Sequence, residues 1–170
     1  MTSRREINAE ELQALYSAIG QGIWHLQNVE DALHTYITVK RDVRVRASVR
    51  LEKAEELLLK NRSRTLGKSL RIAREAQVLS PSLQERIDTF KEERDWLVHR
   101  SVYQNRQDLY VENKRHLLIA RIQAFSTEAT VLQKLIAKEL EEFVISQGVS
   151  REEVMRIAEE NLMKLRGESP

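Results

Sequence analysis

The residue types best suited to chemistry stand together in Arg94-Asp95-Trp96-Leu97-Val98-His99. On a helix at 100° per residue, Leu83, Ile87, Phe90, Leu97 and Ser101 share one narrow arc. Arg94 falls in the middle of that arc, where the core pattern expects an aliphatic. A guanidinium placed there costs stability unless it is paired or lines a wet cleft. Asp95 and His99 are helical neighbours at i and i+4. A cation, an imidazole and a carboxylate able to orient it therefore lie within two turns, the ingredients of proton transfer beside a bound anion. The same residues have a plainer reading. Asp and His at this spacing are common on solvated faces, and an arginine on an apolar stripe can carry its head past the core edge to Glu93 or Glu128.

The elements that position this stretch read as helices throughout. Ser80-Pro81-Ser82 followed by Glu85 marks the start of the helix that carries it, with proline in the first turn and Ser82 with Glu85 as a capping box. Asn8 with Glu11 caps a long first helix over about residues 9–40, whose stripe runs from Leu12 through Leu26 to Ile37. Gly20 and Gly22 lie inside it at a cost on the order of 1 kcal/mol each, which points to a close helix approach or a kink. Lys40 to Arg46 reads as a loop or short extended piece, Ala47 to Leu59 as a second helix and Thr65 to Ala76 as a short third. Gln104 to Asp108 reads as a loop. The stripe from Leu118 through Phe125 and Leu132 to Phe143 then lasts nearly eight turns, Gly148 ends that helix, and Ser150 with Glu153 caps a last one. The expected fold is all-α, an up-down bundle of about five helices: a flexible N-terminus over 1–8, one domain over 9–166 and a frayed tail over 167–170. Two helices of about 30 residues would each be roughly 45 Å long, more than a domain of this size spans, so their ends should meet a second chain.

Composition narrows the function. Five glycines and two prolines in 170 residues, with 32% charged and 41% hydrophobic, suit a mostly helical chain with a core of its own. The absence of cysteine excludes thiol nucleophiles, disulfides and thiolate metal sites and fits a cytoplasmic location. No apolar run approaches membrane-spanning length, and the charged start is unlike a signal peptide, so no membrane partner is expected. The net charge of +2 hides a local excess: residues 40–74 carry 12 Lys/Arg against 4 Asp/Glu. That segment is either a footprint for RNA phosphates or a solvated face, and it lacks the aromatics of a stacking platform.

Arg, a polar residue, three residues and His, inside Phe90 to Arg100, resemble the R-x4-6-H signature of the HEPN superfamily of helical nucleases, in which the residue after the arginine is typically Asn, Asp or His. The long first helix and Thr65-Leu66-Gly67-Lys68 are also similar to these bundles. The resemblance implies a homodimer whose two motifs meet in one cleft, and a metal-independent, cofactor-free endoribonuclease acting as a toxin or in antiviral defence. Arg94 and His99 would be catalytic, with Asp95 in support: the imidazole moves the proton of a ribose 2′-hydroxyl or of the leaving 5′-oxygen, and the guanidinium holds the phosphate. Arg94 and His99 point about 140° apart on a regular helix, which two facing copies would ease. Arg44, Arg46, Arg50, Lys68, Arg100 and Tyr103 are the expected RNA contacts. An antitoxin or regulatory protein is a further expected partner. In relatives paired with nucleotidyltransferase antitoxins a tyrosine follows the histidine at the second position. Here that residue is Ser101, and Tyr103 lies a turn beyond His99. The rival expectation is a non-catalytic helical module that binds RNA, a nucleotide or a protein, and a weaker one is a coiled-coil-like scaffold.

His25, His34 and His116 show no metal spacing, and neither a phosphate-binding glycine loop nor a nucleophile elbow occurs. Trp24 and Trp96 read as core or dimer-interface aromatics.

Overall fold

The structure, a computed structural model, describes residues 4–168, among which helices are the only regular elements. Helix α1 (Ala9–Ile37) starts on the expected cap: the Glu11 amide donates to Asn8 Oδ1 at 2.9 Å and the Asn8 amide to Glu11 Oε2 at 3.1 Å. The helix does not stop at the basic stretch. Thr38–Val43 continue it as wider π-helical turns, held by the Asn61 side-chain amide, which donates to Thr38 Oγ1 at 2.6 Å and to Asp42 at 3.0 Å. Arg44 and Ala47 then adopt left-handed backbone conformations, φ +60° and +59°, so the second helix cannot begin at Ala47. It begins four residues later, as α2 (Leu51–Arg62).

Helix α3 (Leu66–Glu75) is capped by Thr65, whose hydroxyl accepts from the Lys68 amide. Helix α4 (Pro81–His99) is capped by Ser80 rather than by Ser82 with Glu85. Proline is favoured at the first helical position, and here Pro81 takes it, which makes the residue before it the cap. The expected loop after the motif folds instead into a short helix, α5 (Ser101–Asn105), and a 3-10 turn, Asp108–Tyr110. Helix α6 (Glu112–Ser146) follows, ended by Gly148 at φ +88°. Helix α7 (Arg151–Leu165), capped by Ser150, buries none of its residues.

Charged pairs fix the helix directions. Glu11 meets Arg115 at 2.7 Å at one end of α1, and the Tyr36 hydroxyl donates to Glu139 at 3.0 Å at the other, so α1 and α6 run parallel. Helix α4 returns between them, with Glu93 on Arg121 and Arg86 on Glu128, and α3 runs antiparallel to α4, with Gly67 beside Lys91 and Arg74 paired with Asp88. Leu26, Val29 and Leu33 of α1, Leu83, Ile87 and Phe90 of α4 and Ile122, Phe125 and Leu132 of α6 close the core. Phe90 and Phe125 stack with centroids 4.7 Å apart.

Residues 4–8, expected to be flexible, are docked. The Arg5 amide donates to the Tyr110 carbonyl at 3.0 Å, and its guanidinium meets Glu11, which also accepts from Nη2 of the fully buried Arg115. The Glu168 amide closes back on the Met163 carbonyl at 2.9 Å, while residues 169–170 of the expected tail, like residues 1–3, lie outside the described residues. No helix among the described residues is long and apolar enough to cross a membrane.

Candidate active site

Helix α4 is fixed on two sides next to the motif. Trp96 is 3% exposed under the Arg121 guanidinium, 3.6 Å from its ring centroid, and Glu93 holds that arginine through two hydrogen bonds of 2.8 and 2.9 Å. On the other side Leu97 packs on α1 at Gly22, where an added Cβ would lie 3.3 Å from Leu97 Cδ2. Of the two glycines in α1, then, Gly22 makes the close approach, and around Gly20 nothing lies within 4 Å. The helix ends at His99 and the chain turns at Arg100, φ −121°, leaving the imidazole exposed.

Arg94 and His99 are in contact despite their 140° separation on a wheel. The arginine chain runs over Asp95, which lies between the two, and its Nη1 reaches Asp95 Oδ1 at 3.1 Å and His99 Nε2 at 3.4 Å. A guanidinium can only donate, so this arrangement suits an imidazole whose Nε2 accepts and whose proton sits on Nδ1. Nη2 stands 3.8 Å from Glu30 on α1, and Nε is buried without a partner. The arginine pairs with neither Glu93 nor Glu128, which Arg121 and Arg86 occupy.

Asp95 does not orient His99. Its other oxygen accepts from Lys91 at 2.6 Å, one turn earlier on the same face. Burial alone would raise the Asp95 carboxyl, but hydrogen bonds and charge from Lys91 and Arg94 outweigh it and hold the carboxyl below its ordinary value. For Glu30 the balance is reversed: burial raises it, and the Arg94 charge offsets only part of that rise. Glu30 and Lys91 are the site residues that motif reading missed. Glu30 carried one signal, being the first charged residue after the neutral stretch Leu12–Val29.

The basic residues divide. Lys68 is exposed beside the site, since a Cβ on its neighbour Gly67 would lie 3.5 Å from Lys91 Cε. Arg100 folds back along α4 and donates to the Glu92 carbonyl at 3.2 Å, and Tyr103 is exposed on α5. Arg44, Arg46 and Arg50 lie beyond the C-terminal end of α1, with Arg44 roughly 20 Å from Glu30 at 1.5 Å per residue. Arg46 is already paired with Glu153 at 3.0 Å. No cluster among the described residues is arranged to hold a metal ion.

No family model, curated protein or solved structure matches this chain. The site therefore rests on its own chemistry: a partly buried arginine touching an exposed imidazole at a helix end, with two carboxylates and a lysine around them.

Proposed function

We propose that the chain is a metal-independent endoribonuclease of the HEPN type, a cytoplasmic toxin or antiviral-defence RNase that works as a homodimer and needs no cofactor. The observation that carries this reading is the 3.4 Å contact between Arg94 Nη1 and His99 Nε2, which brings a phosphate-binding cation and a proton-transfer group to one exposed spot. The ribose 2′-oxygen attacks the adjacent phosphorus as an imidazole takes its proton. The bond from phosphorus to the 5′-oxygen breaks, and a second imidazole, His99 of the other copy, protonates the leaving oxygen. Arg94 meets the charge that builds on the phosphoryl oxygens. The products are a 2′,3′-cyclic phosphate and a 5′-hydroxyl. Lys68, Arg100 and Tyr103 lie near enough to α4 to guide the strand, whereas Arg44, Arg46 and Arg50 would touch only a distant stretch of a long RNA.

A second reading, a non-catalytic module binding RNA, a nucleotide or a protein, draws on a specific observation. Asp95 is engaged by Lys91 and Arg94 rather than His99, and Arg94 already faces two carboxylates. One experiment separates the two: cleavage of total RNA and tRNA in EDTA by the parent protein, Arg94→Ala and His99→Ala, each confirmed as folded. Loss of at least about a hundredfold in both variants, with cyclic phosphate ends in the parent digest, supports the nuclease. Retained RNA binding without cleavage by the parent moves the conclusion to the binding module.

A further inference from the structure

In a chain of which 32% of residues are charged, no Lys, Arg, Asp or Glu occurs from Leu12 to Val29, about five turns of α1. The core explains one side of this stretch, where Leu15, Ala18, Gly22, Leu26 and Val29 point inward. The opposite face is also uncharged, although Gln13, Tyr16, Ser17, Gly20, Trp24 and Gln27 are all exposed. Exposed positions elsewhere in the bundle are interspersed with charges, as at Lys134, Lys138 and Glu142 on α6. Trp24, 66% exposed and at the centre of the neutral face, is the largest side chain the fold leaves in water.

Gly20 adds a second, independent oddity. It costs about 1 kcal/mol in a helix interior relative to alanine, yet nothing within 4 Å of its Cβ position requires it. It leaves a notch in the neutral face one turn before the bulge of Trp24. A bulge and a notch one turn apart on a single helix are self-complementary: a two-fold axis crossing α1 between them seats each Trp24 over the other copy's Gly20. We infer that this face docks a second copy of the chain, α1 against α1 and antiparallel. Depletion of charge with enrichment of aromatics is the signature of an interface core. A nucleic-acid strand or an anionic lipid surface would need cations that this face does not have.

The face continues toward the site. Ile19, on its flank, shares an apolar pocket with Ser101 and Val102, and Val102 is 77% exposed just past His99. A stable dimer buries roughly 1,000 Å² or more, so the docking uses this flank together with α1. The inference gives a surface to the homodimer of the reading above and does not depend on its RNA chemistry.

Light scattering coupled to gel filtration tests it on the full chain with Trp24→Glu, Gly20→Arg and a control, Leu117→Glu, which changes an exposed residue of α6. The parent and control are expected to run as dimers and the two α1 variants to lose half the mass with helical circular dichroism unchanged. A monomeric parent, or α1 variants that remain dimers, overturns the inference. Because the chain has two tryptophans, Trp96→Phe leaves Trp24 as the sole emitter. Its emission should move to shorter wavelength as protein concentration rises, and an emission independent of concentration counts against the seat. A dimer that cleaves no RNA refutes the nuclease alone, and a wild-type monomer that cleaves refutes this docking and the two-copy mechanism while leaving the nuclease activity standing.

Discussion

The contact between Gly22 and Leu97 joins the first helix to the motif, and its energy can be worked out in advance. In Gly22→Ala, helix propensity contributes about 1 kcal/mol in favour of folding, and the buried methyl about 0.8 kcal/mol more. Against this, the new Cβ would stand 3.3 Å from Leu97 Cδ2 and 3.5 Å from Phe125 Cδ1, both in a closed core. Overpacking of this kind costs about 1–3 kcal/mol. The terms leave Gly22→Ala between about 0.8 kcal/mol stabilised and about 1.2 kcal/mol destabilised. Leu97→Ala alone opens a cavity at a cost of about 2–5 kcal/mol. With Leu97 truncated, the tighter of the two contacts is gone, and Gly22→Ala becomes stabilising by about 1–2 kcal/mol. The double-mutant cycle should therefore show a coupling of about 1–3 kcal/mol, the overpacking that truncation relieves. Urea unfolding of the four proteins at one concentration reads it directly. Additivity within about 0.3 kcal/mol refutes the claim that Gly22 exists to admit Leu97.

Other consequences follow from particular groups. Glu11, hydrogen-bonded by Arg5 and by the Asn8 amide and paired with Arg115, is lowered from 4.5 to about 2. Its stabilisation is complete above pH 4.5 and is lost as pH falls toward 2, because the unfolded chain takes the proton first. The urea midpoint should decline over that window, and Glu11→Gln should flatten the decline. Removing α7 by ending the chain at Gln147 deletes a helix with no buried residue, and the melting temperature should move by less than about 2 °C in a scanning calorimeter. On the nuclease reading, Arg94→Lys keeps the charge but loses the forked contact to phosphate, so kcat/KM should drop by at least about tenfold, the equivalent of one charged hydrogen bond. An unchanged rate would mean that Arg94 serves only α4.

The helices were legible because apolar spacing reports a buried face directly. The stripes of α1 and α6 supply most of the core observed, although Leu12 and Phe143 at their ends stay outside it, and the Asn8 cap sits where its side chain can reach the Glu11 amide. The errors fall where local signals compete with packing. Ser82 with Glu85 had the pattern of a capping box, but Pro81 at the first position passed the cap to Ser80. The run Lys40–Val43 looked like a loop because its side chains are basic, yet its backbone stays helical under Asn61, a partner some twenty residues away that no local pattern could announce. Residues 4–8 appear free in sequence for the same reason: Arg115, which ties them in through Glu11, lies on another helix.

For the site, sequence supplied the residues but not their partners. A helical wheel treats side chains as spokes and so separates Arg94 from His99. The arginine is long enough to lie across Asp95, and one helix alone makes the contact for which two copies had been invoked. On the nuclease reading a second copy is called for by a different argument. Returning a proton to the 5′-oxygen while the 2′-oxygen loses one calls for two imidazoles, and each chain places only one beside its Arg94. The carboxylates sharpen the point: Asp95 is drawn toward Lys91, and Glu30 is raised by burial more than Arg94 lowers it. Glu30→Gln, which removes a competing anion from Arg94, should then lower KM for RNA more than it changes kcat.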